Sequence, residues 1–467
     1  MENSSRYTIN SRIEKIKSMM KNVTANGFAN VINNRILKPK ANIANVLKEL
    51  GGETFTFKTA GASGLTFKSS SLDKNIQFAI KVVAFNKRSD YGDIFNEGRP
   101  ENAELKTIYL LSQFVLNHSI PHIVLPMACF NTDIMPFVTQ AQGDILDDKK
   151  YKKFIEAFKE DKFENDVSIL ISEWVNYGDL LNYMRKRIDK TSDIQWKVIL
   201  FQIISTLSVI HLKYPTFRHN DMKANNILLQ KLGETTDEAY EYKINKKRYL
   251  VPIIGAIIKL WDFDFACIPG IVENNKVSST WAGTHYIHPK QNRYYDLHYF
   301  MNSLTKESFI PNFWSRVQPE TKKFFERIIP PEYRYTDDKE NKGRLKDDIE
   351  YVTPLWIIEN DPYFAEFRNS TSTGVSQAPK VTSKMTYEIP TYIDPFVKET
   401  FAKETFAKET PEKKKKDKDE KKKKKDAHKP IIDYDSEIES VLDCRNIDIN
   451  EIYKSFAPSS PSSCYEK

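Results

Sequence analysis

"FRHNDMKANNILLQ", residues 217–230, sets His219, Asp221 and Asn226 within eight residues, directly ahead of the apolar run Ile227-Leu228-Leu229. An acid two residues after a histidine, with an amide five residues after the acid, suits phosphoryl transfer. A carboxylate can accept a hydroxyl proton, and an amide oxygen can hold Mg²⁺. The competing reading is a polar surface turn. The remainder of the chain decides between them.

The chain has 467 residues, of which 40% are hydrophobic and 28% charged. That length suits one large domain or two, with part of the chain unfolded. Cys129, Cys267, Cys444 and Cys464 are widely separated and form no CxxC pair, so neither a zinc site nor a disulfide framework is indicated. The polar start lacks the apolar core of a signal peptide. The apolar run at 249–258 is too short to span a bilayer. A soluble intracellular, cytoplasmic protein is expected. The net charge of +7 hides two tail blocks that nearly cancel, +6 over 398–430 and −5 over 431–467. No specific nucleic-acid partner follows from it, and nothing indicates an oligomeric state.

Residues 10–50 read as helical, with Ile13, Ile16, Met19 and Met20, then Ile43, Val46, Leu47 and Leu50, at helical spacing. "FTFKTAGASGLTFKSSS" reads as a hairpin and "IQFAIKVVAF" as a third strand. Residues 100–117 form a helix, "HIVLPMACF" and "VSILISEWV" form strands, and a polar insert of about 132–166 separates those two. Beyond "NYGDL" the pattern turns helical. Strands followed by helices predict an α+β fold of two lobes. The expected organisation is an N-terminal helical extension at 1–50 and a domain at 51–370, its lobes meeting near 175. A tail at 371–467 carries the KETFA repeat and lysine runs and is expected to be largely disordered. The lysine runs read first as a solvated tail. Ser459, Ser460, Ser462 and Ser463 beside prolines are candidate phosphorylation sites.

Four further pieces fall in order. Gly61 and Gly64 sit between two strands, where backbone N–H groups can approach phosphate oxygens; a plain hairpin glycine is the alternative. Lys81 interrupts an apolar strand and needs a partner for its charge. Glu104 is the first choice for that partner and Glu101 the second. Lys223 follows the acid by two and would neutralise a transferred phosphoryl group. Downstream, "IKLWDFDFA" places Asp262 after a strand, as a second Mg²⁺ ligand beside Asn226.

The order glycine loop, A-I-K, helix Glu, H-x-D-x-K-x-x-N and D-F-x resembles the eukaryotic-type protein kinase signature over roughly residues 50–370. "RHNDMKANNIL", "WDFDFA" and "YVTPLWIIENDPYFAEF" look closer to the poxvirus-type virion serine/threonine kinases of large DNA viruses. The resemblance implies a two-lobed kinase fold and ATP with Mg²⁺, Mn²⁺ being an alternative ion. It implies protein substrates with Ser or Thr sites, and a virion or viral assembly site. It makes Asp221 the base and His219 a structural brace. Ser172 becomes the gatekeeper, and Glu173, Trp174 and Val175 the hinge that reads adenine. Asp179 becomes a ribose contact and Asp296 a buried acid of the following helix. Pro289-Lys290 stands where Pro-Glu is usual. Thr59 stands where the first loop glycine is usual, Asn220 replaces the usual Arg, Asp264 replaces the Gly of D-F-G, and a long insert separates Asn226 from Asp262. These departures leave two rivals, a pseudokinase scaffold and a small-molecule kinase of the choline or aminoglycoside type. Intact Lys81, Asp221, Asn226 and Asp262 speak against the first, and Lys223 against the second.

Overall fold

The structure, a computed structural model, describes residues 8–33, 35–61, 64–71, 76–87, 91–139, 148–232, 238–334, 341–368, 380–387 and 447–448. The KETFA repeat, the lysine runs and the four tail serines lie outside the described residues.

In chain order, helix α1 (Ile9–Lys21) is followed by a short ribbon, β1 (Val31–Ile32) and β2 (Arg35–Ile36), and by helix α2 (Ile43–Glu49). Next come β3 (Gly52–Ala60), β4 (Leu65–Ser71), β5 (Gln77–Asn86), α3 (Pro100–Leu116), β6 (Pro126–Asp133), α4 (Met135–Thr139), α5 (Lys149–Lys159) and β7 (Phe163–Glu173). The second lobe holds α6 (Leu180–Arg187), α7 (Asp193–Lys213), β8 (Ile227–Lys231), β9 (Glu238–Ile244), β10 (Lys247–Pro252) and β11 (Ala256–Leu260). It continues with α8 (Thr280–Thr284), α9 (Tyr295–Leu304), α10 (Phe313–Arg316), α11 (Pro319–Ile328), α12 (Pro354–Asn360), α13 (Ala365–Arg368) and β12 (Lys380–Tyr387). A last pair of residues, β13 (Ile447–Asp448), returns to the first lobe.

The first lobe is one antiparallel sheet of order β13-β3-β4-β5-β7-β6. Strand β4 shows why it forms: Leu65, Phe67, Ser69 and Ser71 are buried and the residues between them are not, the period of two that a half-buried strand requires. The alternation puts Lys81 on β5 opposite Thr66 and Leu170. Helix α3 starts with Pro100 at its first turn, where the missing N–H costs nothing. The 132–166 insert forms α4 and α5. Helix α5 lays Tyr151 and Phe154 inward, with Tyr151 edge-on to Phe57 at 5.1 Å.

In the second lobe α7 opens with a capping box, Ser192 and Gln195, and is buried on nearly every face. Its length and apolar composition would also suit a membrane span, but 83% of that window is packed inside the lobe. An all-round apolar helix is a core helix. The insert between Asn226 and Asp262 forms the β9–β10 hairpin. Its turn residues Asn245 and Lys246 both take positive φ, 49° and 64°, the handedness that tight hairpins favour.

Two expectations change. Residues 22–42 are not helical: Asn26 caps a short turn at Gly27 and donates to Met127 O at 3.0 Å, and the β1–β2 ribbon follows. Side-chain hydrogen bonding by Asn outcompetes the helix there. Helix α1 packs Ile9, Ile13 and Ile16 into the same core as the sheet, so it is part of the lobe. Beyond residue 370 the chain is not all tail. Strand β12 pairs in parallel with β9, and Met385 and Tyr387 are buried, Tyr387 against Phe114 at 5.8 Å.

Candidate active site

Strands β8 and β11 pair antiparallel from Ile227↔Leu260, so the loop entering β8 and the loop leaving β11 lie side by side. Trp261 N donates to Asn226 O at 3.2 Å across them. Each loop turns on one left-handed residue, Asn220 (φ 62°) and Asp262 (φ 63°). Asn and Asp tolerate that conformation better than other non-glycine residues. Buried Asp296 of α9 accepts His219 N at 2.7 Å and Asn220 N at 2.9 Å, and burial raises its pKa. His219 Nε2 donates to Trp261 O at 3.1 Å, which ties the two loops together.

Asp221 sits at the end of this braced loop, 8% exposed. Its Oδ2 accepts from Asn226 Nδ2 at 2.9 Å and faces Lys223 Nζ at 3.3 Å. Its Oδ1 accepts from Arg344 Nη2 at 2.9 Å. Arg344 was not anticipated from sequence. It lies 123 residues away in a polar stretch with no motif, and its burial is the only sign of its importance.

Lys81 reaches from β5 to Glu104 of α3, with Nζ 2.7 and 2.9 Å from the two carboxylate oxygens, and to Asp262 Oδ1 at 3.0 Å. Glu101, the second choice, pairs with Arg99 instead at 2.7 Å. Burial alone would lower the Lys81 pKa, but Asp262, Glu104 and Asp264 outweigh it, so the lysine stays charged. Burial pushes the Glu104 carboxyl up to about 7, with Asp262 and Asp264 pushing the same way against Lys81. The two partners thus pull in opposite directions, Lys81 toward a charged pair and Glu104 toward a neutral carboxyl. The two-oxygen contact favours the ionised pair near neutral pH. Asp262 is held below the usual carboxylate range despite its burial, chiefly by Lys81.

Asp264 is not a lone third carboxylate. It pairs with Lys276, whose ammonium also lies 3.8 Å from the Phe265 ring centroid. Asn274 Nδ2 donates to Asp264 O and Ala266 O, both at 3.0 Å, which orders the following loop.

The remaining positions are more structural than expected. A Cβ on Gly64 would come within 2.2 Å of Val82 O, so β5 itself demands that glycine, while Gly61 N donates to Gly64 O at 2.7 Å. Ser172 is fully buried. The Glu173 side chain is turned into the core, 2.7 Å from Lys259 and 2.9 Å from Arg12, and it accepts Leu125 N at 3.0 Å. Its backbone N–H is taken as well, donating to Leu125 O at 2.9 Å. Arg12 also donates to Trp174 O at 3.2 Å, so α1 braces the segment leading to Val175. Asp179 caps α6 by accepting Asn182 N at 2.8 Å. Among the described residues no group of three or more His, Cys, Asp or Glu gathers as a metal centre. Asn226, whose Nδ2 is committed to Asp221, and ionised Asp262 fit a hard oxygen-seeking cation that takes its other ligands from a phosphate or water.

A profile of the family described as poxvirus serine/threonine protein kinase matches residues 189–365. A protein of Acanthamoeba polyphaga mimivirus that carries the name serine/threonine-protein kinase is 45% identical over 344 residues, which is 72% of this chain and 73% of that protein. A second mimivirus protein with the same kind of name is 24% identical over 231 residues, 43% of this chain and 57% of its own length.

Proposed function

The chain belongs to the poxvirus-type viral serine/threonine protein kinases, and on that premise we propose that it moves the γ-phosphate of ATP to a protein hydroxyl with Asp221 as the base. The substrate oxygen attacks the γ-phosphorus, the bond to the β-phosphate oxygen breaks, and Asp221 takes the hydroxyl proton. Lys223 and Lys81 lie where positive charge would offset the phosphoryl oxygens. Asn226 and Asp262 would hold Mg²⁺, which supplies charge neutralisation at the phosphates when bound. The transition state needs little covalent help, so positioning and fixed charge account for most of the rate.

The observation that carries this reading is Lys81, which bonds at once to Glu104 of the first lobe and Asp262 of the loop after β11. A buried lysine joined to two carboxylates from separate elements needs a reason, and a triphosphate clamp supplies one. The Val175 backbone would read adenine.

The test is purified protein with labelled ATP and Mg²⁺ over casein, myelin basic protein, choline and aminoglycosides. Label on serine or threonine is the expected result. Label on a small molecule, or tight ATP binding without label, overturns it.

A further inference from the structure

Residues Asn341–Arg344 form a tight turn, with Lys342 at φ 53° and Gly343 at φ 86°. The fully buried Asn341 closes it: its Oδ1 accepts Gly343 N at 3.0 Å and its Nδ2 donates to Arg344 O at 2.8 Å. Arg344 N donates back to Asn341 O at 2.9 Å. The turn is pinned from outside as well. Asn302 Nδ2 of α9 donates to Gly343 O at 2.8 Å, and Lys306 Nζ donates to Lys342 O. A Cβ on Gly343 would meet Lys306 Cε at 2.7 Å, so the turn is seated tightly as well as bonded.

The Arg344 guanidinium lies 4.5 Å from the ring centroid of Tyr299, also on α9. Asp296, Tyr299 and Asn302 are spaced by three, so they share one face of that helix. The first holds the loop that carries Asp221, the second underlies Arg344, and the third holds Arg344's turn. One rigid helix face therefore sets the distance between guanidinium and carboxylate. So closely bonded a turn around a single arginine is more than packing needs, because an apolar side chain would fill the space without a buried charge.

A carboxylate offers about four lone-pair sites. Asn226 and Lys223 occupy Oδ2, and Arg344 occupies one side of Oδ1. We propose that Arg344 is a positioning residue for phosphoryl transfer, fixing the rotation of the Asp221 carboxylate so that Oδ1 keeps one free site for the substrate hydroxyl. This rests on Asp221 being the base. The charge-assisted bond holds the carboxylate in a single orientation in which it can receive the proton.

The experiment is a double-variant cycle in the full chain, using Asp221→Asn, Arg344→Ala and both together. Turnover, KM for ATP and unfolding midpoint are measured for each. Arg344→Ala should lower kcat roughly ten- to hundredfold, the range a charge-assisted bond supplies, with KM for ATP little changed. Added guanidinium ion at millimolar concentration should restore part of the loss, and Arg344→Lys should retain more activity than Arg344→Ala. In the Asp221→Asn background, Arg344→Ala should cost nothing further.

Unchanged kcat in Arg344→Ala, or losses that simply multiply in the double variant, overturn the inference while leaving the base in place. A rise in rate also overturns it, by making Arg344 a plug. If Arg344→Ala does not fold, Arg344→Lys and its KM-against-kcat split decide, and equal loss in both constants refutes a positioning role. Near-normal turnover in Asp221→Asn alone defeats the base assignment, a result distinct from all of these.

Discussion

Lys81→Met removes the cation that Glu104 and Asp262 share, at nearly constant volume. The cost can be worked from the site. Glu104 is 5% exposed at its side chain and lies 2.7 Å from Lys81 Nζ. Removing one partner of a buried pair costs about 3–5 kcal/mol if the orphaned charge stays. It need not stay. Burial already pushes the Glu104 carboxyl up to about 7, and without Lys81 the remaining influences of Asp262 and Asp264 push it further. The variant therefore binds a proton on Glu104 at neutral pH.

The sign follows. A carboxyl whose folded pKa lies above its unfolded value makes the folded state hold more protons, so stability falls as pH rises toward the folded pKa. The wild-type carboxyl titrates near about 7 and the variant's above it. Above pH 7 the wild-type loss levels off and the variant's continues, so the deficit should widen there, by up to about 1.4 kcal/mol per pH unit. Urea unfolding of both proteins at pH 6 and pH 8 reads this directly. A deficit of about 1–2 kcal/mol at pH 6 growing by about 1 kcal/mol at pH 8 is expected. A deficit equal at both pH values, or larger at pH 6, refutes the reasoning, because Glu104 would then not be the group left unpaired.

Three shorter predictions follow from other parts of the molecule. A chain ending at 390 loses only the two-residue edge pairing of β13 and should unfold close to the full protein, whereas one ending at 370 also loses the burial of Met385 and Tyr387, worth roughly 1.5–3 kcal/mol each, and should unfold at markedly lower urea. Buried His122, His211 and His298 have pKa values depressed to about 3, 4 and 4, so stability present above pH 6.5 should fall as pH drops toward 4. Together they contribute about 4 kcal/mol per pH unit, offset in part by Glu104, and a flat urea midpoint from pH 7 to 5 would contradict it. Alanine at Ser278, Ser279 and Thr280 should keep most of the kinase rate, because Lys276–Asp264 and the two Asn274 bonds order that loop without a phosphate. A tenfold loss, about 1.4 kcal/mol in barrier, restored by phosphorylation would overturn that view.

What could be read in the sequence divides along one physical line. His219, Asp221 and Asn226 were legible because the loop that carries them is continuous, so spacing along the chain is spacing in the site. Lys81 was legible because a charge in an apolar strand demands a partner, and Glu104 lay in the next helix. Asn220 and Asp264 were legible only as departures from a pattern. Their meaning came from the fold: Asn220 occupies a left-handed position with no need of a cation, and Asp264 has Lys276 beside it. Illegible throughout were partners chosen by tertiary packing. Arg12 meets Glu173 across 161 residues, from a helix whose periodicity names its core face but not its partner, and Arg344 meets Asp221 across 123, from a segment without a motif. Reading 22–42 as helix failed similarly, since Asn26 finds Met127 only once the chain has folded, and the pairing of β12 with β9 inside the tail range was hidden for the same reason. Helix α9 draws the consequence. Its sequence, "YDLHYFMNSL", offers one acid that the resemblance marks as buried and no sign of what Tyr299 and Asn302 do, yet Asp296, Tyr299 and Asn302 on one face determine where both Asp221 and its arginine stand. Altering Asn302, which touches neither group, should therefore loosen Arg344 and lower turnover before it lowers stability.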